Sequence, residues 1–207
     1  MHYPVDFASS GSSHIGGNIA TNAGGIKVIR YGLTRDWVLG LKVVTGSGEI
    51  IDCNRGLIKN ATGYDLRHLF IGSEGTLGFI VEAEIRLAPK PEPQRVMVLG
   101  VNDLSKLLGI LETFQDALTL SAFEFFSDLA LSKVMDHRNL QKPLSADSPF
   151  YSLIEYDAVD DQVAFEAFQK LLDLGWISDG VVSQSDAQAA ALWSLRESIT
   201  ESIAAQT

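Results

Sequence analysis

The stretch at residues 12–25, SSHIGGNIATNAGG, is the part of the sequence that is most informative about the fold. Two Gly-Gly pairs bracket small and amide-bearing residues, and the run has almost no side-chain volume with which to pack a core. Glycine lets backbone N–H groups approach a bulky planar or anionic ligand closely. The stretch therefore predicts a ligand-binding segment, in which Asn18, Thr21 and Asn22 supply amide and hydroxyl contacts. A plain glycine-rich surface loop is the alternative.

A second glycine-rich segment, residues 72–78 with the sequence GSEGTLG, leads directly into an apolar strand. Its glycines lie three residues apart, as in a phosphate-binding turn. No Lys-Ser or Lys-Thr follows and no helix pattern begins there, which excludes a P-loop. The Rossmann pattern GxGxxG is also absent, so a dinucleotide would have to be held by a different fold.

Glycine content and charge divide the chain into two parts. Fourteen of the 18 glycines lie within the first 78 residues, and the net charge is +1 through residue 91 and −11 beyond it. The segment between the parts, residues 89–93, reads PKPEP and holds three of the six prolines. A proline cluster is typical of an extended linker. We therefore predict two domains, residues 1–90 and residues 94–207.

Composition excludes several classes of protein. The 207 residues carry a net charge of −10, which argues against a general nucleic-acid binder because phosphate contacts dominate such binding. No stretch approaches the ~18–20 apolar residues of a membrane helix, and the N-terminus lacks the features of a secretory signal. Cys53 is the only cysteine, which excludes an intramolecular disulfide. We expect Cys53 to be half-buried and inert.

Periodicity predicts an α+β fold. In the first part, residues 37–44 and 49–53 read as the strands of a hairpin, and residues 78–87 as a further strand. The second part alternates in the order β-α-α-β-α-β-α, which predicts an antiparallel sheet covered by helices on one face. The helices of the second part are predicted at residues 104–118 with Asp103 as N-cap and Leu104, Leu107, Leu108, Leu111 and Phe114 on one stripe, at 121–137, at 162–174, and at 186–205 with Asp186 as N-cap.

The two glycine-rich segments, in this order, resemble the FAD-binding domain of the vanillyl-alcohol-oxidase/PCMH-type flavoenzymes. Within that superfamily the chain is similar to the D-2-hydroxyacid dehydrogenase branch, which includes glycolate oxidase flavin subunits and D-lactate dehydrogenases, and it is most similar to the D-2-hydroxyglutarate dehydrogenases. The motifs that carry the resemblance are residues 15–18 (IGGN), 20–25 (ATNAGG), 30–32 (RYG), 38–41 (VLGL), 62–66 (TGYDL), 72–78 (GSEGTLG) and 192–201 (LWSLRESITE).

The resemblance implies the second half of a PCMH-type FAD-binding domain, followed by part of a ferredoxin-like antiparallel-sheet cap domain, the C-terminal domain of FAD-linked oxidases. It implies that FAD is held without a Rossmann fold. His14 would lie beside the flavin, although a hydrogen-bonded loop histidine is an equal alternative. The residues expected to contact FAD are Ser13, His14, Gly16, Gly17, Asn18, Thr21, Gly24, Glu74, Gly75, Gly78 and Ile80.

The resemblance also implies a substrate site in the second part. In this branch the Arg and Thr of a Leu-Arg-x-x-Ile-Thr pattern contact the substrate, and they match Arg196 and Thr200. Positions i and i+4 share a helical face, and arginine pairs naturally with a carboxylate. The alternative is that Arg196 pairs with Glu197 or Glu201 on a solvated helix.

The implied activity is oxidation of a D-2-hydroxyacid, such as D-2-hydroxyglutarate, D-lactate or glycolate, to the 2-oxoacid by hydride transfer to the flavin. The electron acceptor and the general base stay unidentified, and a homo-oligomer stays open. The expected location is the cytoplasm, or the mitochondrial matrix in a eukaryote. A flavin oxidase of the same superfamily acting on an alcohol or sugar is disfavoured, because a neutral substrate needs no carboxylate clamp.

Family enzymes are longer than this chain. We expect a further glycine-rich pyrophosphate loop upstream and a histidine-rich motif that binds a divalent, zinc-like metal downstream. On this expectation the chain is an internal fragment that is inactive alone, and we predict no metal site within it. A non-catalytic truncated homologue, or a subunit that serves as a binding module, is the main alternative.

Overall fold

A computed structural model describes residues 1–7, 9–57 and 59–205. It divides the chain into two units, Met1–Lys90 and Pro91–Thr207. The division falls inside the proline-rich segment, and the last two residues of the predicted second domain lie outside the described residues. No helix in the described part of the chain is both long and apolar enough to cross a membrane.

The first unit is built on a three-stranded antiparallel sheet in the order β2-β1-β3. The predicted hairpin is confirmed, since β1 pairs with β2 and the turn between them closes with a hydrogen bond from the Thr45 N–H to the Glu49 carbonyl at 2.9 Å. Gly48 lies in that turn at φ +84°, a conformation that glycine adopts without a steric penalty. The strands are β1 (Val38–Thr45), β2 (Ile50–Arg55) and β3 (Gly78–Ile85).

Three short helices accompany this sheet, α1 (Ile15–Ala20), α2 (Val28–Tyr31) and α3 (Arg67–Phe70). The expectation that the glycine-rich run at residues 12–25 cannot pack a core is wrong at one residue. Ile19 is fully buried and packs with Val38, Leu41, Val43, Cys53, Phe70 and Ile71.

Cys53 belongs to the same core and is buried rather than half-buried. Burial raises the pKa of its thiol, with a smaller contribution from the Asp52 carboxylate. Because the thiolate is the reactive form, both effects keep Cys53 inert.

The second unit contains a four-stranded sheet in the order β5-β6-β4-β7, in which every neighbouring pair is antiparallel. The predicted antiparallel sheet is therefore confirmed. Its strands are β4 (Gln94–Val101), β5 (Leu120–Ser127), β6 (Phe150–Asp157) and β7 (Ile177–Val182), and its helices are α4 (Leu107–Ala117), α5 (Asp128–Arg138), α6 (Asp161–Asp173), α7 (Asp186–Glu197) and α8 (Ile199–Ala204).

The prediction of a helix over residues 121–137 is wrong in its first seven residues. Residues 120–127 form strand β5, so the order is β-α-β-α-β-α-β-α. Three phenylalanines favour this strand, because aromatic side chains pack well on a pleated surface. The helix begins only after Ser127, whose hydroxyl accepts a hydrogen bond from the Ala130 N–H at 3.2 Å.

Helices cover both faces of this sheet, not one as predicted. Helices α4 and α6 pack on the face that carries Met97, Leu99 and Ile154, and α7 lies against β4 and β5 with its Trp193 bonded to Glu155 on the other face. The two central strands are buried on both sides for this reason.

The predicted apolar stripe over residues 104–118 needs correction. Leu107, Ile110 and Phe114 are buried, whereas Leu104 and Leu108 are exposed. Asp103 caps the start of this segment as predicted, because its carboxylate accepts from the Ser105 N–H at 2.8 Å, but the capped residues 104–106 form a 3-10 turn that precedes α4.

The predicted helix over 186–205 is interrupted at Ser198, so that α7 and α8 are separate helices. Its N-cap is Ser185 rather than Asp186, because the Ser185 hydroxyl accepts from the Gln188 N–H at 3.3 Å.

Candidate functional site

A cleft of about 340 Å³ in the first unit is formed by α1, the turn at residues 72–78 and the start of β3. Two backbone hydrogen bonds join the turn to α1. The Gly72 N–H donates to the Ile19 carbonyl at 3.1 Å, and the Glu74 N–H donates to the Ala20 carbonyl at 2.8 Å. The residues that line the cleft are Gly16, Gly17, Ala20, Glu74, Gly75, Gly78, Phe79 and Ile80.

Packing requires glycine at some positions of the cleft and not at others. A Cβ added at Gly16 or Gly17 would meet no atom of the described residues within 4 Å, so none of them requires glycine there. Gly78 is packed instead, because a Cβ would come within 2.6 Å of the Val43 side chain and 2.9 Å of the Val44 carbonyl. The wall formed by α1 is therefore bare backbone that faces open space.

The turn at residues 72–78 holds three left-handed residues, Gly72, Glu74 and Gly75. Glu74 has φ +52°, which costs a residue with a side chain about 1–2 kcal/mol. The hydrogen bond from its N–H to α1 fixes this conformation. Strained residues of this kind cluster at binding sites, and here the strain lies at the rim of the cleft.

Six of the eleven residues predicted to contact FAD line this cleft: Gly16, Gly17, Glu74, Gly75, Gly78 and Ile80. Ala20 and Phe79 also line it and were missed. No helix was predicted at residues 15–20; with α1 in place, Ala20 lies one turn beyond Gly16 and Gly17 and so shares their face.

The other five predicted residues do not line the cleft. The Ser13 hydroxyl accepts from the Asn18 amide at 3.3 Å, and the Thr21 hydroxyl donates to the Gly17 carbonyl at 3.0 Å. A Cβ at Gly24 would come within 2.5 Å of Leu33, so packing accounts for that glycine. His14 precedes α1 and is exposed, and its ring makes no hydrogen bond with any described residue.

In the second unit, Arg196 lies near the end of α7 and forms an ion pair with Glu124 of β5. The Arg196 Nε donates to the Glu124 Oε2 at 2.8 Å, and the two side chains are 34% and 22% exposed. Arg196 therefore pairs with neither Glu197 nor Glu201, the partners considered from the sequence. Glu124 was missed because it is 72 residues away along the chain.

One helical turn earlier, α7 makes a second polar contact with the same sheet. The Trp193 indole N–H donates to the Glu155 Oε2 at 2.7 Å, and both side chains are buried. A buried carboxylate requires such donors because desolvation of its charge is costly. The contact fixes the rotation of α7 about its axis and so presents Arg196 to the sheet.

The predicted pairing of Arg196 with Thr200 on one helical face is changed by the break at Ser198. Arg196 belongs to α7, whereas Thr200 belongs to α8 and is exposed. The backbone at Ser198 stays right-handed at φ −79° and ψ −3°, so the two residues remain about one turn apart. They do not share a continuous helix.

Within the described ranges, no three His, Cys, Asp or Glu side chains come together in an arrangement that could hold a metal ion. Four acidic side chains of the second unit instead make contacts with protein donors: Glu124 with Arg196, Glu155 with Trp193, Asp161 with Tyr156 and Arg95, and Asp179 with Ser145.

Comparison with protein families gives two matches. Residues 1–54 match the FAD binding domain, and residues 90–207 match the C-terminal domain of FAD linked oxidases. The second match covers more than half of the chain.

Curated relatives extend this similarity along the whole chain. D-2-hydroxyglutarate dehydrogenase of Stutzerimonas stutzeri is 56% identical over 206 residues, which are 98% of this chain and 44% of the relative. The mitochondrial D-2-hydroxyglutarate dehydrogenase of Arabidopsis thaliana is 41% identical over 207 residues, 97% of this chain and 37% of the relative. The chain thus spans less than half of the length of either relative.

Solved structures share the fold at low sequence identity. An alkyldihydroxyacetonephosphate synthase superposes with a TM-score of 0.67 at 18% identity, over 97% of this chain and 38% of that one. A p-cresol methylhydroxylase superposes with a TM-score of 0.60 at 15% identity, over 86% of this chain and 39% of that one.

Proposed function

Because the chain belongs to the FAD-linked oxidases, we propose that it forms part of a dehydrogenase that oxidises a D-2-hydroxyacid to the 2-oxoacid. The observation that carries the proposal is its similarity, along nearly its whole length, to the D-2-hydroxyglutarate dehydrogenases. D-2-hydroxyglutarate is therefore the first substrate to test. D-lactate and glycolate are the next.

The cleft of the first unit fits part of an FAD molecule. Its α1 wall is bare backbone at Gly16 and Gly17, which a planar group can approach closely, and Phe79 and Ile80 add apolar surface. Glu74 brings a carboxylate to the rim, and a carboxylate repels phosphate. These residues therefore suit the neutral parts of FAD, with the pyrophosphate held elsewhere in the complete protein.

When bound, FAD supplies the two-electron acceptor for the hydride that leaves the substrate α-carbon. Arg196 binds the substrate carboxylate in this proposal. Its Nε is held by Glu124, and its two Nη groups, which have no hydrogen-bond partner among the described residues, can donate to a second carboxylate. Thr200, about one turn further on and exposed, offers a hydroxyl to the same ligand.

We place this enzyme in the cytoplasm, or in the mitochondrial matrix of a eukaryote, since the names of eukaryotic relatives include the word mitochondrial. It passes its electrons to an acceptor that this proposal leaves open. The divalent metal of the family stays an expectation for the complete protein.

The test uses the complete gene product that contains this sequence. FAD should be released on denaturation, and D-2-hydroxyglutarate should reduce an artificial electron acceptor whereas the L-enantiomer should not. Arg196→Lys should raise KM or lower kcat on the order of tenfold or more, because lysine cannot replace a bidentate guanidinium.

Arg95→Lys is the matched control, because Arg95 is also paired through its Nε, at 3.1 Å from Asp161, in the same unit. Its kinetics should equal those of the parent protein. A protein that carries no flavin, or that oxidises none of the D-2-hydroxyacids, would refute the proposed function.

A further inference from the structure

The guanidinium of Arg196 has one hydrogen-bond partner among the described residues, and that partner is Glu124. The bond joins Nε to Oε2 at 2.8 Å, and both side chains are partly buried. Neither residue has another ion pair in the described ranges. A side-on contact through Nε alone leaves both Nη groups unused.

Rigid elements hold both members of this pair. Glu124 lies inside β5, where it is paired in register with Leu153 of β6. Arg196 lies on α7, which is fixed against the sheet one turn earlier by the buried contact between Trp193 and Glu155. The pair therefore forms between a strand interior and an anchored helix, and little backbone freedom remains to be lost when a ligand binds.

The chemistry of the guanidinium decides what such a contact can do. Arginine has five N–H donors in a planar fork, and it binds a carboxylate with two parallel hydrogen bonds, through Nε with one Nη or through both Nη groups. Glu124 accepts from Nε alone, so its carboxylate lies on the side of the guanidinium that the first mode would use. The end of the fork, with both Nη groups, is the mode left for a ligand.

We propose that Glu124 is a positioning residue that holds the Arg196 fork by its Nε, so that the two Nη groups are presented to the substrate carboxylate. The inference rests on the proposed function, because it needs Arg196 to bind that carboxylate. Without Glu124 the long arginine side chain would sample several rotamers, and each substrate molecule would have to order it on binding.

The experiment compares Glu124→Gln, Arg196→Ala and the double variant in the complete gene product. It measures Kd for D-2-hydroxyglutarate by calorimetry and KM and kcat with an artificial acceptor. Glu124→Gln should weaken binding about three- to tenfold and change kcat by less than about twofold. In the Arg196→Ala background, Glu124→Gln should have no further effect on Kd, because the residue acts only through Arg196.

Asp161→Asn is the matched control. It removes the carboxylate from the Arg95–Asp161 pair, which also joins a strand to a helix through an arginine Nε. Its Kd should equal that of the parent protein, and both carboxylate variants should melt within a few degrees of it.

The outcomes separate the two proposals. If Arg196→Ala leaves Kd unchanged, the substrate role of Arg196 is wrong and the inference fails with it. If Arg196→Ala weakens binding but Glu124→Gln does not, the proposed function stands and only the positioning role is overturned. An effect of Glu124→Gln that persists without Arg196, or that Asp161→Asn reproduces, overturns it as well.

Discussion

Gly17→Ala should stabilise the protein while it weakens the binding of FAD. Gly17 lies inside α1, its backbone is not left-handed, and an added Cβ would meet no protein atom within 4 Å. The same residue lines the cleft. The added methyl group would therefore enter the part of the cleft that the proposed ligand occupies, without contacting the protein.

The gain in stability and the loss of FAD affinity can both be estimated. Replacing glycine by alanine inside a helix stabilises it by about 0.5–1 kcal/mol, which corresponds to a rise in Tm of about 0.5–1 °C for a protein of the length of the curated relatives. A methyl group forced into a packed contact costs about 1–3 kcal/mol. If the proposed contact with the flavin loses this free energy, the Kd for FAD rises by roughly 5- to 150-fold.

The assay removes FAD from the complete gene product and follows thermal unfolding of the apoprotein. It then titrates FAD back while flavin fluorescence is measured. Gly11→Ala is the control, because a Cβ at Gly11 also meets nothing within 4 Å and Gly11 does not line the cleft. An unchanged affinity for FAD in Gly17→Ala would show that α1 does not contact the flavin.

Three further predictions concern the first unit. Gly78→Ala should destabilise it by about 1–3 kcal/mol, because the new Cβ would come within 2.6 Å of the Val43 side chain; chemical denaturation measures this loss, and an unchanged midpoint would contradict it. Cys53 should resist a thiol reagent at neutral pH until the protein unfolds, because burial raises the pKa of its thiol; stoichiometric labelling of the folded protein would show the packing to be wrong. The hydrogen bond from Arg67 lowers the pKa of the Asp65 carboxyl in the folded protein. At a pH above the pKa of this carboxyl in the unfolded chain, the pair therefore stabilises the fold. That stabilisation is lost as the pH falls through the lower pKa of the folded state. Asp65→Asn should flatten that acid limb of the stability curve, and an unaltered limb would exclude the pair as its cause.

The strands of the first unit were predictable because their signals are local, whereas helices α1 and α2 were not predicted. The β1–β2 hairpin follows from two apolar runs around a glycine-containing turn. The cleft was predictable in part, because the glycine-rich segment at residues 12–25 predicts a ligand and the family resemblance adds the segment at residues 72–78. Their contact depends on hydrogen bonds from Gly72 and Glu74 to the end of α1, and no local pattern encodes that pairing.

The second unit shows where local reasoning fails. Residues 120–127 form a strand because β6 lies beside them, whereas their spacing alone is also compatible with a helix. The uninterrupted apolar run from Val96 to Leu99 does signal burial on both faces of the sheet. Read in that way, it would have predicted the second layer of helices.

The two candidate sites are constrained by different physics, and this explains which of their residues could be predicted. In the cleft, no contact with a described residue requires glycine at positions 16 and 17, and the small size of these residues is visible in the sequence. At Arg196 the constraint is a pair, and its second member, Glu124, resembles any other acidic residue on a strand. A site lined by glycines can therefore be predicted from one local segment of the sequence. An ion pair between residues far apart in the chain can be identified only from the folded structure, in which the strand and the helix are in contact.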